Sequence, residues 1–173
     1  MELFETMEKR RSVRKYTEEN IPGEILDKIL KAGLMAPSSR GLMPCELVLV
    51  TEKEMLEKLS EIKTHGGSML KNAAAAIMVL GDSEKADTWI EDTSIAMTYM
   101  HLAATALGVG SCWVQARLRG TDEASAEENV RKLMDIPENM KLEALLALGM
   151  AETQPKPIDV ENICFDKIHY EKY

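Results

Sequence analysis

The chain has 173 residues, of which 45% are apolar and 29% charged, values typical of a soluble globular protein. This length predicts one domain over residues 1–173, and the composition excludes disordered and collagen-like chains. Because no apolar run reaches about 18–20 residues and the N-terminus does not resemble a signal peptide, we expect no membrane segment and a cytoplasmic location. The three cysteines are far apart, which excludes a disulfide framework and predicts no metal site.

The basic residues are concentrated near the N-terminus. Lys9–Lys15 contains five positive charges, although the whole chain carries a net charge of −8. Because the remainder is acidic, the chain lacks the broad positive surface that nucleic acid requires, and we expect no nucleic-acid partner. The cluster suits a small anion, or it is an ordinary solvated face.

The first half of the chain predicts a short helix, a longer helix, a loop rich in proline and serine, and then strands around a third helix. Thr51 and Glu54 have the spacing of a capping box, which predicts that their side chains open the third helix. The apolar spacing gives these elements the following ranges: helix 3–11, helix 22–35, loop 36–44, strand 45–50, a helix from 51 to about 62 and strand 75–80.

The longest predicted helix runs from Asp87 to Leu107, and Gly108 and Gly110 end it. Its second half is apolar on most sides, so it must be buried on most sides, and a subunit interface is the expected place. The rest of the chain predicts strand 111–116, a helix opened by a Ser125/Glu128 capping box, strand 142–148 and an extended arm over about 151–173.

The usual catalytic patterns are absent from the sequence. It has no Gly-x-Ser-x-Gly elbow, phosphate-binding Gly-Lys-Ser/Thr loop, Cys-x-x-Cys pair or His-Glu-x-x-His helix. His101 is interpreted as a hydrogen-bonded histidine within a packed helix rather than as a ligand. If the protein is an enzyme, its chemistry therefore belongs to an organic cofactor, and no side chain is predicted to be catalytic.

Five blocks of the sequence, in this order and at these separations, resemble the FMN-dependent nitroreductase family. Taken alone, each block is equally typical of a charge run, a connection or a turn. Their shared order over most of the chain is what makes the resemblance specific. The blocks are Arg-Arg-Ser-Val-Arg-Lys-Tyr at 10–16, Ala-Pro-Ser-Ser at 36–39, Asp-Thr-Ser-Ile-Ala at 92–96 leading into Leu-Ala-Ala at 102–104, Gly-Val-Gly-Ser-Cys-Trp at 108–113 and Leu-Ala-Leu-Gly at 146–149.

The resemblance implies an α+β fold of the nitroreductase type, with a central mixed sheet flanked by helices. It also implies an intertwined homodimer with FMN bound at the subunit interface. The dimer agrees with the independent inference from the apolar helix at 87–107.

The resemblance assigns flavin contacts residue by residue. Arg10 and Ser12 match positions that bind the FMN phosphate and ribityl chain, and Arg11 contributes its backbone amide and charge. Arg14 matches a basic position at the pyrimidine edge, where a cation stabilises the negative charge of the reduced flavin.

The other assigned contacts lie in three later segments. Pro37, Ser38, Ser39 and Gly41 belong to the loop that reaches the flavin of the partner subunit, and Trp113, Val114 and Gln115 belong to the strand whose backbone amide faces flavin N5. For the far C-terminal phosphate contact, Lys156 and Lys167 are the candidates, and Lys167 is included in the predicted site.

The predicted function is an NAD(P)H oxidoreductase of ping-pong type. NADH or NADPH would pass a hydride to the flavin and leave, and a nitroaromatic, quinone or free flavin would then use the same open face. Gly41 and Cys45 stand where many members have Asn and Trp, and the loop 65–68 lacks the Asn and Lys that some members place at the pyrimidine edge. These departures keep open a degenerate or non-catalytic flavin-binding dimer, beside a specialised flavoenzyme of the same fold.

Overall fold

The computed structural model describes residues 2–173 and contains five α-helices and four strands among them. The helices are α1 (Leu3–Lys9), α2 (Gly23–Leu34), α3 (Lys53–Ser60), α4 (Trp89–Ala106) and α5 (Ala126–Leu133). The strands are β1 (Cys45–Val50), β2 (Ala75–Asp82), β3 (Gly110–Gln115) and β4 (Met140–Gly149). Short 3-10 turns occur at Ser39–Gly41, Ser68–Asn72, Val160–Asn162 and Phe165–Lys167.

The four strands form one sheet in the order β1-β2-β4-β3, and each neighbouring pair is antiparallel. A single parallel bridge joins Ser12 to Ser111 on the outer edge of β3, which makes the sheet mixed. β2 and β4 are the two central strands, and both are buried along almost their whole length. Their continuous apolar sequences are explained by helices that cover both faces of the sheet.

Side chains that alternate along the central strands divide the core into two parts. Ile77 and Leu146 pack with Met97 and Met100 of α4 and with Ile29 of α2 on one face. On the other face, a second set packs with side chains of α3 and α5; it includes Met78, Leu145, Leu56, Leu59 and Val130. Because the side-chain period of a strand is two, neighbouring residues of β2 and β4 serve opposite halves of the core.

Most predicted elements are present with shifts of a few residues at their ends. The Ser125/Glu128 capping box is confirmed, since each partner bonds the other's backbone amide. The capping box predicted at Thr51 is wrong: α3 begins at Lys53 with Glu52 as its N-cap, and no side chain caps it. The helix starts later than the pattern predicts, so the Thr51 hydroxyl is too early to reach the amides of the first turn.

The C-terminal arm is exposed throughout. From Lys156 to Tyr173 every residue is exposed, including the apolar Ile163, Phe165 and Tyr170. Leu3 and Phe4 of α1 are exposed as well. No helix within residues 2–173 combines the length and apolar character needed to cross a membrane.

Candidate functional site

The basic segment after α1 meets the outer edge of β3 at Ser12 and then crosses the end of the sheet to Ala151. Val13 N–H donates to the Ser111 carbonyl at 2.9 Å, beside the Ser12–Ser111 bridge, and Val13 is buried in the core. Extended chain alternates its side chains, so Ser12 faces away from the core side of Val13. The Arg11 guanidinium donates to the carbonyls of Lys156 and Pro157 and is therefore committed to the start of the C-terminal arm.

Arg10 lies beside a buried histidine of α4. His101 is 7% exposed, and its Nδ1 is 2.8 Å from the Ser111 hydroxyl oxygen. Burial, with a smaller contribution from the Arg10 charge, lowers the pKa of His101 to about 4. The imidazole is therefore neutral at pH 7, and the prediction of a hydrogen-bonded histidine in a packed helix is confirmed.

The side chains of Arg14 and Ser12 influence Cys112, the residue that follows Ser111 on β3. Burial raises the pKa of the Cys112 thiol, while the charge of Arg14, a hydrogen bond from Ser12 and the charge of Lys63 act in the opposite direction. Cys112 itself is buried in the core. The positive charges of Arg14 and Lys63 therefore act on a thiol that is not exposed to solvent.

The outer edge of β3 carries an amide that the sheet does not use. In an antiparallel strand the N–H and C=O of one residue point to the same side, and that side alternates along the strand. Because the Ser111 carbonyl faces the outer edge, the Gln115 amide, four residues later, faces it too. Among residues 2–173 no strand pairs with this edge beyond Ser111, so the Gln115 N–H is available to a ligand.

The Gln115 side chain is occupied by its neighbours. Its carbonyl oxygen accepts from the Trp113 indole N–H at 2.8 Å, and its amide nitrogen donates to the Arg117 carbonyl at 3.1 Å. These bonds fix the strand end without using the backbone amide. The contact of this amide with a ligand remains a prediction.

Lys63 is a site-region residue that sequence analysis missed. Only 8% of Lys63 is exposed, and its Nζ donates to the Gln115 carbonyl at 2.6 Å. Burial lowers the pKa of the Lys63 ammonium, with a further contribution from the Arg119 charge. No sequence signal distinguishes a buried lysine after the apolar end of a helix from an ordinary surface lysine. The chain thus supplies a cation beside the loop 65–68, which itself has no lysine.

The predicted Pro37–Gly41 segment is held against the start of α4. The backbone N–H of Ser39 donates to the Asp92 carboxylate at 2.8 Å, and Met43 N–H donates to the Ser38 hydroxyl at 2.8 Å. Arg40 and Met43 adopt φ values of 54° and 49°, a conformation that costs energy for residues other than glycine. The segment is therefore a shaped loop rather than a simple connection.

One subunit does not bring the two halves of the predicted site together. Ser39 is bound to Asp92, whereas Arg10 lies beside His101, nine residues further along α4. At 1.5 Å per residue these anchors are about 13 Å apart along the helix. The loop and the basic segment are therefore separated along α4 within a single chain.

The predicted lysine contact lies in the C-terminal arm. Lys167 is exposed in the Phe165–Lys167 turn and makes no side-chain hydrogen bond or ion pair to any of residues 2–173. Lys156, the other candidate, lies next to the basic segment because its carbonyl accepts from Arg11. Within one chain, Lys156 is therefore the candidate whose backbone adjoins the basic segment.

The matching family model is described as "Putative TM nitroreductase" and covers residues 2–163. The chain belongs to this nitroreductase family. A "Putative NADH dehydrogenase/NAD(P)H nitroreductase" of Archaeoglobus fulgidus is 36% identical over 169 residues, which cover 95% of this chain and 94% of that protein. The sequence-based assignment to the nitroreductase family is confirmed.

Solved structures of nitroreductases share the fold. A structure described as an FMN-dependent nitroreductase from Clostridium difficile R20291 has a TM-score of 0.94 and 41% identity, covering 97% of this chain and 98% of that one. A protein of Bacteroides thetaiotaomicron described as a putative NADH dehydrogenase/NAD(P)H nitroreductase has a TM-score of 0.90 and 31% identity, covering 99% and 98%. The predicted nitroreductase-like α+β fold is confirmed.

Proposed function

We propose that the protein is an FMN-dependent NAD(P)H oxidoreductase. The observation that carries this function is the outer edge of β3, which the basic segment 10–14 meets at Ser111 and which has an unused backbone amide at Gln115. The family and the described activities of its similar members support the same cofactor and reductant. When bound, FMN supplies hydride transfer between a reduced nicotinamide and an acceptor.

The residues present fit FMN. Arg10 and Ser12 offer a guanidinium and a hydroxyl beside Ser111, a donor set suited to a phosphate and a polyol. From Ser111 to Gln115 the strand extends about 13 Å, which gives an elongated ligand separate contacts for its two ends. Arg14 follows two residues after Ser12, and the Gln115 amide is available at the far end.

Each residue has a separate task in this arrangement. Arg10 and Ser12 bind the anionic end, Arg14 holds positive charge near the flavin ring, and Gln115 N–H fixes the ring by donating to it. Trp113 and Val114 position the strand end, because Val114 is anchored in the core and the Trp113 indole bonds the Gln115 side chain. No proton has to be moved by a side chain, which suits an edge formed by cations and amides.

We propose that a homodimer completes the site. The loop residues Pro37, Ser38, Ser39 and Gly41 are about 13 Å along α4 from Arg10, and a second subunit related by a twofold axis can bring its own loop to this position. The exposed apolar arm supports the same assembly, because Phe165 and Tyr170 are exposed to solvent in a single chain and a second chain could bury them. In the dimer Lys167 of the arm can approach the partner's site, and one subunit then supplies the phosphate contact of the other.

The acceptors we propose are nitroaromatics, quinones or flavins. NADH or NADPH and the acceptor would use one open face in turn, which is the ping-pong order. Initial rates measured over a matrix of NADH and quinone concentrations should give parallel double-reciprocal lines. Intersecting lines would instead mean that both substrates are bound together.

The phosphate assignment is tested by Arg10→Ala. Loss of a charge-assisted bond of about 1.5–3 kcal/mol should weaken FMN binding by about 10- to 100-fold, while riboflavin, which has no phosphate, should bind almost unchanged. The matched control is Lys15→Ala, which removes an exposed charge from the same cluster. Fluorescence titration of both flavins measures the effect. Equal losses for FMN and riboflavin would remove Arg10 from the phosphate site.

A further inference from the structure

A cavity of about 590 Å³ lies beside the end of β3 and is separate from the Arg10 end of the strand. Two loops form its walls, residues 63–65 and residues 118–125. Neither loop was included in the predicted site. The cavity begins at Lys63, whose ammonium bonds the Gln115 carbonyl, so it adjoins the amide assigned to the flavin.

The two walls are joined by backbone hydrogen bonds. Thr64 N–H donates to the Gly120 carbonyl at 3.0 Å, and Ala126 N–H donates to the Arg119 carbonyl at 2.8 Å. Thr121 N–H closes the intervening turn on the Ala124 carbonyl at 2.9 Å. The cavity is therefore shaped by the fold and needs little ordering when a ligand binds.

The lining of this cavity is positive in a protein that is acidic overall. Lys63, Arg119 and His65 line it together with one acidic residue, Asp122. Within residues 2–173 neither Lys63 nor Arg119 has a carboxylate within ion-pair distance. The Arg119 charge also lowers the pKa of Lys63, which shows that the two cations act on each other.

Two neighbouring cations without a carboxylate repel each other, and an anion between them removes that repulsion. The buried Lys63 ammonium is partly desolvated, which strengthens its attraction for an anion entering the cavity. The FMN phosphate is assigned to Arg10 and Ser12 at the opposite end of β3. The FMN phosphate therefore does not account for the cations of this cavity, and an anionic group of a second ligand suits them.

We propose that this cavity binds a carboxylate or phosphate group of the substrate and gives the enzyme a preference for anionic substrates. This proposal rests on the proposed oxidoreductase function. Arg119 is the specificity-determining residue, since its exposed guanidinium can form a bidentate bond with either anion. Lys63 supports it with a fixed charge at the mouth of the flavin site.

The test compares two acceptors that differ in charge, 4-nitrobenzoate and its methyl ester, in the FMN-loaded protein. In Arg119→Gln, kcat/KM for 4-nitrobenzoate should fall about tenfold, while the value for the ester should stay within about twofold. The matched control Lys28→Gln removes an exposed charge from α2 and should change neither value. Raising the salt concentration should reduce the preference of the wild type for the anion.

Calorimetric titration of 4-nitrobenzoate gives a readout that does not depend on turnover. We expect saturable binding to the wild-type protein and about tenfold weaker binding to Arg119→Gln. Inorganic pyrophosphate and NADH are titrated in parallel. If Arg119→Gln weakens these two ligands but not 4-nitrobenzoate, the anion belongs to the nicotinamide donor, and the anion site itself stands.

Two results would overturn the proposal. One is an equal effect of Arg119→Gln on both acceptors together with unchanged binding of all three anions. The other is a loss of FMN affinity in Arg119→Gln with an unchanged acceptor ratio, because the cavity would then hold the flavin. A protein that reduces neither acceptor but binds 4-nitrobenzoate through Arg119 would contradict the oxidoreductase function and leave the anion site intact.

Discussion

The buried His101 makes the stability of this protein depend on pH in a defined window. Its pKa falls from the ordinary value of 6.5 to about 4 in the folded protein, mainly because of burial. Since the folded pKa is the lower one, the unfolded chain takes up a proton first as the pH falls below 6.5. Between pH 7.5 and pH 5 this linkage removes about 2 kcal/mol of unfolding free energy, and the loss levels off below pH 4.

The substitution His101→Gln removes this titration and keeps a side chain able to bond the Ser111 hydroxyl. We expect the variant to be less stable than the wild type at pH 7.5, but to lose about 2 kcal/mol less between pH 7.5 and pH 5. Urea unfolding at a series of pH values measures both curves. His169→Gln, in the exposed arm, is the control and should follow the wild-type curve.

The protein also loses stability at low pH when carboxylates with lowered pKa values, such as Asp82 and Glu128, take up protons. They titrate equally in both proteins, so the difference between the two curves isolates His101. If the curves stay parallel from pH 7.5 to pH 5, the imidazole is not held neutral by burial. The packing described between α4, Arg10 and β3 would then be wrong.

Four further substitutions test the fold and the site. Gly149→Ala should destabilise the protein by about 1–3 kcal/mol in urea unfolding, because its Cβ would lie 2.6 Å from the Tyr16 ring; full stability would refute this packing. Ser125→Ala should cost about 1 kcal/mol and Thr51→Ala almost nothing, since only the first hydroxyl caps a helix; equal costs would contradict the assignment. Arg14→Ala should lower the flavin affinity or reduction potential, and unchanged values of both would exclude Arg14 from the site.

Patterns within short stretches of sequence predicted most of the fold. The apolar runs of β2 and β4 mark strands that are covered on both faces, and the capping box of α5 depends on contacts within three residues. Thr51 and Glu54 have the same spacing as Ser125 and Glu128, yet only the second pair forms a capping box. The difference lies in where β1 ends and α3 begins, which tertiary packing decides.

The candidate site was predictable where residues follow one another in the family blocks, as in the basic segment and in Trp113–Gln115. Lys63 and Arg119 could not be found in this way. Their significance arises because the Thr64–Gly120 hydrogen bond joins two loops that are far apart in the sequence. A lysine or arginine in a loop is ordinarily a solvated surface charge, and only the fold shows that these two share a cavity.

The proposed association of two subunits rests on a different kind of pattern. The sequence of α4 is apolar on most sides, and in one chain Ile95 and Tyr99 remain exposed on it. A helix of this composition predicts a partner without identifying the residues that the partner brings. The separation of Ser39 from Arg10 along α4 adds to this proposal, since it identifies the two parts of the candidate site that a second subunit would join.

The visible absorption spectrum of the purified, dialysed protein is the most direct test of the central claim. A flavin spectrum that bleaches when NADH or NADPH is added without oxygen, and recovers when a quinone or nitroaromatic follows, is the predicted result. It would establish the cofactor, the reductant and the reaction class in one experiment. A colourless protein that also fails to take up added FMN would contradict the oxidoreductase function.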